Sequence, residues 1–269
     1  MTKNIGIIGC GWLGFPLAEE LHKAGYRISG TTSSEEKIKA LKTKGIQPFK
    51  ISISEDGING PIFEFLSTLS ILIINIPPGL RGKGPKESYI KKIKLLYSAI
   101  KKTEIKQVIF ASSTAVYGEA EGKVTEKTKP APNTASGVQL LACENLLLND
   151  EKLHTTIIRF GGLIGPERHP ITMLSGRENL KGGNAPINLI HLDDCIGIIK
   201  SIIHHNHWNA ILNAVYPQHP TKEEYYTKEA LKKGITPPHY ESENNKTYKL
   251  ITTCSLFLIN EYDFLTSIN

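Results

Sequence analysis

The sequence has few cysteines, and they form no metal-binding or disulfide pattern. Its four cysteines lie far apart in the 269 residues, among apolar or small neighbours. Zinc sites need closely spaced cysteines and disulfide-stabilised domains need many of them, so we expect neither, and we expect a reducing, cytoplasmic setting. His204, His205 and His207 are close together, but neighbouring helical residues point in different directions. We therefore expect no metal ion.

The sequence also has few arginines and no long apolar run. Five of its 32 basic residues are arginine, and the net charge of +6 comes from scattered lysines. Arginine is the usual reader of bases, so we expect no nucleic-acid partner. The longest aliphatic stretch, residues 71–76, is interrupted by Asn75 and is far shorter than the ~20 residues that cross a bilayer. No signal segment is visible, and we expect no membrane contact.

Short β-branched runs alternate with longer segments of helical period, which is typical of βαβ units and a parallel sheet. The runs are nearly all apolar, so both faces of the sheet should be covered. The sequence thus predicts an α/β fold with a Rossmann-type doubly wound parallel sheet. The expected strands are 4–8, 26–29, 46–51, 71–76, 108–111 and 155–158. The expected helices begin near residues 13, 34, 61, 86 and 134.

The amino-acid composition of the chain changes after Arg159, where glycine and proline become frequent. Two helices are expected in this part, near 192–203 and 221–231. We assign residues 1–160 to a dinucleotide-binding core and residues 161–269 to a small C-terminal substrate lobe. The lobe is too short and too rich in loops to stand alone, so we expect it to pack on the core, partly interleaved with it, as one domain.

A glycine-rich loop, GCGWLG, occupies residues 9–14, after the first strand and before the first helix. A G-x-G-x-x-G in this position is typical of a dinucleotide site. Gly9 permits a tight turn, Gly11 lets the backbone approach a pyrophosphate, and Gly14 lets helix and strand pack closely. Trp12 and Leu13 lead into the helix, whose N-terminal N–H groups attract phosphate. We assign all five residues to cofactor binding.

The end of the second strand lacks the acidic residue that is typical of NAD sites. Thr31, Thr32 and Ser33 stand there instead, followed by Lys37. With no carboxylate to repel it, a 2′-phosphate can accept hydrogen bonds from these hydroxyls while Lys37 adds charge. We therefore expect NADP in preference to NAD, with NAD still open. The alternative for Ser33 is that it caps the next helix, with Glu36 completing a capping box.

Three further blocks follow the glycine loop. Residues 110–118 (FASSTAVYG) are similar to SS-x-x-VYG, residues 159–166 (RFGGLIGP) to R-x-x-x-x-YGP, and residues 188–194 (NLIHLDD) to N-x-IHxDD. Together with the loop, they resemble the short-chain dehydrogenase/reductase superfamily, in its extended branch of NAD-dependent epimerases and dehydratases. G-x-G-x-x-G in place of the usual G-x-x-G-x-x-G resembles the atypical group, which includes the YeeZ-like proteins.

This resemblance implies several site residues. It gives Ser113 the position of the active-site serine, beside the nicotinamide and the substrate oxygen. It places Asn75, Ile76 and Pro77 along the cofactor, although the proline can equally mark a rigid strand exit. The histidine and aspartates of residues 191–194 look functional, but we expect them to shape a strand exit and to cap the helix beginning near residue 195.

The chain departs from the family pattern at the catalytic Y-x-x-x-K. Alignment of the motifs places Ser136 at the tyrosine and Leu140 at the lysine. Reduction of a carbonyl needs a proton for the developing alkoxide, and in the family the lysine charge lowers the pKa of the tyrosine that gives it. A serine without such help cannot take over this role, so another residue must do so.

Two functions remain open. The first is an NAD(P)-dependent oxidoreductase or epimerase that acts on a small polar substrate, carbonyl or sugar-derived, with Ser113 orienting the oxygen and Tyr117 as the acid. Tyr117 could instead only pack or bind substrate, and His169 and His191 are reserve candidates. The second is an inactive NAD(P)-binding sensor or regulatory protein. We expect a small-molecule partner, and a homodimer is left open.

Overall fold

The computed structural model of the chain describes residues 3–80, 86–242 and 247–268. Within these ranges the strands are, in chain order, β1 (Asn4–Ile8), β2 (Arg27–Thr32), β3 (Gln47–Lys50), β4 (Ser52–Ile53), β5 (Ile58–Asn59), β6 (Ile71–Ile74), β7 (Gln107–Ser113), β8 (Gly122–Val124), β9 (His154–Phe160), β10 (Gly162–Ile164), β11 (Leu189–His191), β12 (Ile211–Ala214) and β13 (Lys249–Ile251). The helices are α1 (Gly14–Lys23), α2 (Glu35–Thr43), α3 (Ile62–Ser67), α4 (Tyr89–Ile100), α5 (Ala135–Leu148), α6 (Ile171–Leu174), α7 (Leu192–His204), α8 (Lys222–Lys232) and α9 (Leu256–Asn260). None of these helices combines the length and the apolar character needed to cross a bilayer.

Seven of the strands form one sheet with helices on both faces, which confirms the predicted doubly wound Rossmann-type fold. The strand order is β12-β9-β7-β6-β1-β2-β3, and every neighbouring pair is parallel. The chain moves outward from β1 to β3 and then returns to β6 on the other side of β1. In open α/β sheets, such a reversal leaves a ligand-binding crevice at the carboxyl ends of the strands.

Side chains of the central strands alternate between two buried layers. Ile5 and Ile7 of β1 pack in the layer that contains α1 and α7, whereas Ile8 packs in the layer of α3, α4 and α5. On β6, Ile73 and Ile74 divide between the layers in the same way. Because both faces of the sheet are buried, these strands appear in the sequence as continuous apolar runs.

Most strand ends differ from the prediction by one to three residues at the carboxyl edge of the sheet; β2 and β7, for example, run on to Thr32 and Ser113. β6 ends at Ile74 rather than at residue 76, because the chain turns there: the side-chain amide of Asn75 donates to the Gly9 carbonyl at 3.1 Å, and Pro77 has no N–H to offer a neighbouring strand. β9 continues to Phe160, beyond the expected residue 158, because β7 and β12 pair with it on both sides.

Residues after 160 contribute to the central layers as well as to a lobe. β12 is the edge strand beside β9, and α7 packs in the same layer as α1. The lobe contains β10 paired with β11, β13 paired with β8, and its own cluster of buried tyrosine and aliphatic side chains. The division into residues 1–160 and 161–269 stays a prediction, with β12 and α7 as the interleaved part. Sequence analysis missed β12 because its run is short and contains Asn213.

The start of α7 corrects the expectation that Asp193 and Asp194 cap a helix near residue 195. The helix begins at Leu192, and its N-cap is His191, whose Nδ1 accepts from the Asp193 N–H at 3.2 Å. Asp194 is fully buried and holds the C-terminal tail. Its carboxylate accepts hydrogen bonds from the Tyr262 hydroxyl (2.9 Å), the Leu265 N–H (2.6 Å) and the Thr266 hydroxyl.

We predict that Asp194→Ala lowers the free energy of unfolding by about 2 to 4 kcal/mol, because three donors lose a buried acceptor. Asp193→Ala is the matched control, since the neighbouring carboxylate is 57% exposed, and it should cost less than about 1 kcal/mol. Urea unfolding of both variants measures the difference. Equal effects of the two substitutions would show that the buried carboxylate does not hold the tail.

Candidate active site

The glycine loop between β1 and α1 has the three features that a dinucleotide site requires. Gly9 has a φ of +97°, in the region that favours glycine. A Cβ atom added to Gly14 would lie 2.2 Å from the Gly9 carbonyl oxygen, so only glycine allows α1 to start this close to the loop. A Cβ added to Gly11 would meet no atom of the described residues within 4 Å. That side of the loop is therefore open to a ligand.

Neighbouring strands hold the loop in this conformation. The Thr31 hydroxyl accepts from the Gly9 N–H at 3.1 Å, and the Thr31 carbonyl accepts from the Cys10 N–H at 2.9 Å. Asn75 donates to the Gly9 carbonyl from the other side. α1 then begins after Leu13 with no side-chain cap from the described residues. The Phe15 N–H donates to the Gly11 carbonyl at 3.0 Å and Pro16 has no N–H, whereas the Gly14 N–H has no partner among the described residues and is available to an anion.

A smaller cleft of about 330 Å³ lies beside the end of β2. Thr31 and Thr32 line it but are buried, and the Thr32 hydroxyl accepts from the Ser34 N–H at 3.1 Å. Ser33 and Lys37 line it and are exposed. The N-cap of α2 is Ser34, which accepts from the Lys37 N–H at 3.5 Å. The expected capping by Ser33 is therefore wrong, and its side chain is not used by the helix.

A larger cleft of about 530 Å³ opens at the carboxyl ends of β6, β7 and β9. Ser113 reaches it from the end of β7, and its hydroxyl oxygen accepts from the Ala115 N–H at 3.2 Å. The two clefts share Ile76 and Pro77, so they adjoin across the glycine loop. The described residues that line the larger cleft are Leu13, Asn75, Ile76, Pro77, Pro78, Gly79, Leu80, Ala111, Ser112, Ser113, Thr114, Ala115, Ser136, Leu140, Phe160, Gly161, Gly162, Leu163, Arg168 and Lys249.

Trp12 lines neither cleft and instead joins the glycine loop to the lobe. Its indole N–H donates to the Pro166 carbonyl at 3.0 Å. The Arg168 guanidinium lies over its ring, 4.8 Å from the centroid. A Cβ added to Gly165 would lie 3.0 Å from the indole ring, so glycine permits this contact. Trp12 thereby fixes Arg168 at the mouth of the larger cleft.

Tyr117 does not lie in the cleft, which corrects the expectation for this residue. A 3-10 turn at Thr114–Tyr117 follows β7 and carries its side chain into the interior, where the residue is 1% exposed. The Tyr117 hydroxyl donates to Asn213 Oδ1 at 2.8 Å and accepts from Arg159 at 2.8 Å. Burial raises its pKa, and the Arg159 charge acts against that shift. The hydroxyl is bound to these two partners, and Tyr117 is not among the described lining residues of either cleft.

A buried ion pair lies beside Tyr117 and was missed in the sequence analysis. Arg159 on β9 binds Glu144 on α5, with its closest contact at 2.6 Å, and both side chains are at most 3% exposed. Ser112 on β7 also donates to the Glu144 carboxylate. One sequence feature indicates such a pair: Glu144 and Arg159 are each the one Asp, Glu, Lys or Arg of their helix or strand.

The reserve candidates also lie outside the larger cleft. His191 caps α7, and His169 contacts the Tyr225 hydroxyl at 2.9 Å within the lobe. Two residues that sequence analysis did not select, Arg168 and Lys249, do line it. Arg168 follows the block of residues 159–166 but is not part of its pattern, and Lys249 comes from a segment with no motif.

The fold and the paired clefts define a dinucleotide-binding α/β protein, and comparison with known proteins identifies its family. The model of the NAD dependent epimerase/dehydratase family matches residues 5–207. Protein YeeZ of Escherichia coli (strain K12) is 32% identical over 241 residues, which cover 89% of this chain and 87% of the relative. The chain therefore belongs to the NAD dependent epimerase/dehydratase family, and the resemblance seen in the sequence is confirmed.

Solved structures with low sequence identity share the fold. The UDP-glucuronic acid 4-epimerase of Bacillus cereus, in complex with NAD, has a TM-score of 0.80 at 18% identity, covering 98% of this chain and 93% of the other. MoeE5 in complex with UDP-glucose and NAD has a TM-score of 0.78 at 20% identity, covering 98% and 94%. Another relative by sequence, the uncharacterized UDP-glucose epimerase YtcB of Bacillus subtilis (strain 168), is 27% identical over 60% of this chain and 56% of its own length.

We predict that Tyr117→Phe lowers the free energy of unfolding by about 1 to 3 kcal/mol, because Arg159 and Asn213 each lose a buried partner. Dinucleotide affinity should change little, since the hydroxyl lies outside both clefts. Tyr26→Phe is the control, because no hydrogen bond of its hydroxyl is found among the described residues. Chemical unfolding and NADPH titration check both variants. A stable Tyr117→Phe protein with weakened NADPH binding would place the hydroxyl in the site.

Proposed function

We propose that this protein is a nicotinamide-dinucleotide-dependent oxidoreductase or epimerase that acts on a small, polar, sugar-derived substrate. The observation that best supports this proposal is the arrangement of the two clefts, which adjoin at Ile76 and Pro77 on either side of the glycine loop. A dinucleotide has two nucleoside ends joined by a pyrophosphate. One cleft for each end, with the loop between them, fits that shape.

The residues present fit such a cofactor. The open side of Gly11 is a space that a side chain would fill, and it suits close approach of a pyrophosphate to the backbone. Thr31, Ser33 and Lys37 would hold the adenosine end, and Asn75, Ile76 and Pro77 would lie along the nicotinamide end. When bound, a nicotinamide interconverts an alcohol and a carbonyl by exchanging a hydride with the substrate carbon. Ser113 would hold the substrate oxygen at the end of β7.

The smaller cleft favours NADP over NAD. Its charged lining residues, within the described part of the chain, are Lys37 and Lys92, and no carboxylate joins them. Lys92 is paired with Glu87 at 2.5 Å, whereas Lys37 has no ion pair with the described residues. A 2′-phosphate would find a cation and the Ser33 hydroxyl there, and nothing in the lining would repel it.

A second function, an inactive dinucleotide sensor, is favoured by one observation. Ser136 and Leu140, which the motif alignment places at the family's tyrosine and lysine, both line the larger cleft. Neither can supply a proton near neutral pH. A screen of sugar-derived aldehydes, ketones and alcohols, followed by absorbance of the reduced nicotinamide and by chromatography of the sugars, separates the two functions. An oxidoreductase consumes or forms NADPH, an epimerase recycles its cofactor but interconverts two sugars, and a sensor does neither.

We predict that Gly11→Val abolishes the thermal stabilisation given by NADPH while leaving the melting temperature of the free protein near that of the wild type. The new side chain projects into open space and therefore blocks only the ligand. Gly14→Ala is the matched comparison, since its Cβ would collide with the Gly9 backbone and should destabilise the free protein. Thermal shift with and without NADPH measures both effects. Full stabilisation of Gly11→Val by NADPH would show that the pyrophosphate does not bind at this loop.

We predict that NADPH binds about tenfold more tightly than NADH, which corresponds to about 1.4 kcal/mol. Lys37→Ala should reduce this preference several-fold, because it removes the unpaired cation from the cleft. Ser33→Asp should also reduce the preference, because its carboxylate repels the 2′-phosphate. A change at Ser33 suits this test better than one at Thr31, because the Thr31 side chain holds the glycine loop. Lys39→Ala, an equal charge change on α2 outside the cleft lining, is the control. Calorimetry that shows NADH binding as tightly as NADPH in the wild type would contradict the assignment.

A further inference from the structure

The larger cleft contains two charged side chains among its described lining residues, Arg168 and Lys249, and no carboxylate. Arginine keeps its proton at every pH at which a protein is folded, and Arg168 is fixed against Trp12. The serine and threonine hydroxyls of the lining titrate far outside the neutral range. Among these residues, Lys249 is therefore the group that can gain and lose a proton.

Hydrogen bonds of the backbone fix the position of Lys249. The Asn188 side chain binds on both sides of it: its amide donates to the Lys249 carbonyl at 2.9 Å, and its Oδ1 accepts from the Ile251 N–H at 2.8 Å. β13 also pairs with β8, with Lys249 opposite Gly122. The lysine reaches the cleft from a segment far in sequence from the family motifs.

The ammonium group itself is anchored to the segment that follows Ser113. Nζ donates to the Gly118 carbonyl at 2.5 Å, and Gly118 directly follows the turn at Thr114–Tyr117 that begins after Ser113. A neutral amine held in this way still donates one hydrogen to Gly118 and keeps its lone pair for another partner. The anchor thus orients the nitrogen without consuming its capacity to accept a proton.

The surroundings of Lys249 favour its neutral form. Burial lowers its pKa, and the negative charge of Glu119 acts against that shift. Lys249 also lines a second, smaller cavity, whose other described titratable residues are Lys222, Tyr226 and Tyr248.

We propose that Lys249 is the proton-exchanging catalytic residue of the larger cleft, standing in for the pair that the alignment places at Ser136 and Leu140. This proposal rests on the proposed function. In the oxidation direction, the neutral Nζ accepts the hydroxyl proton of the substrate alcohol. The carbon-bound hydrogen leaves with two electrons to the oxidised nicotinamide cofactor, and a carbonyl forms. In the reverse direction, the ammonium group returns the proton to the oxygen.

The first experiment measures the lysine without a substrate. Sulfosuccinimidyl acetate acylates only neutral amines, so its rate at each lysine, followed by peptide mass spectrometry from pH 6 to 10, reports titration. Lys249 should react with a midpoint below that of Lys123, an exposed residue of β8. NADP⁺ at about 100 times its Kd should slow acylation of Lys249 at least tenfold, because about 1% of the protein is then free. Lys123 should be unaffected.

The results separate this proposal from the proposed function. If NADP⁺ gives no thermal shift in the wild type, the proposed function fails and this proposal fails with it. If NADP⁺ binds but Lys249 is not protected, or titrates like Lys123 or higher, only the proposal for Lys249 is overturned. A purely structural lysine bound to Gly118 would react slowly at every pH.

The second experiment measures the turnover of Lys249 variants in the substrate screen described above. Lys249→Met should reduce kcat by about 10²-fold or more, the usual contribution of a positioned acid or base, while the Kd for NADPH stays unchanged. Lys249→Arg should not restore activity, because it keeps the charge but cannot release the proton. Lys123→Met is the control and should behave as the wild type. Full turnover in Lys249→Met, or no turnover of any substrate by the wild type, overturns the proposal.

Discussion

The buried ion pair between Glu144 and Arg159 fixes the wall of the larger cleft. It joins α5 to β9, and Ser112 joins the same carboxylate to β7. Desolvation of two charges is costly, and the pair is stable only because each charge has several hydrogen-bond partners in the interior. Removal of one partner would leave the other charge buried alone. The position of α5, and with it Ser136 and Leu140 at the cleft, therefore depends on this contact.

The same principle holds the C-terminal part of the chain on the core. Three buried or half-buried polar side chains each bind backbone or hydroxyl groups of that part: Asn188 binds β13, Glu126 binds residues 253 and 254, and Asp194 binds residues 262–266. Burial raises the pKa of the Glu126 carboxyl, but the hydrogen bonds from Thr253, Asn213 and Cys254 outweigh it and lower that pKa. Because β13 carries Lys249 to the cleft, these contacts also complete the site.

The fold and the glycine loop could be predicted because both depend on patterns of residues that are close together in the sequence. Apolar runs of strand length, separated by helical segments, are typical of a parallel sheet. Glycine at residues 9 and 14 answers a conformational or steric demand of the loop itself. Strand ends were less predictable. Asn75 ends β6 through a contact with Gly9, 66 residues earlier in the chain, and β9 is lengthened by β12, which is too short to be recognised from its own residues.

The side-chain partners in the site could not be predicted, because they come from distant segments. The motif at residues 110–118 makes Tyr117 a candidate site residue. The turn after Ser113 instead directs its hydroxyl into the interior, where it donates to Asn213, 96 residues later in the chain. Lys249 likewise meets Gly118 across 131 positions. The fold determines where the cleft lies, but not which segments supply its charged side chains. A lysine from a distant segment thus lines the same cleft as Ser136 and Leu140 of α5.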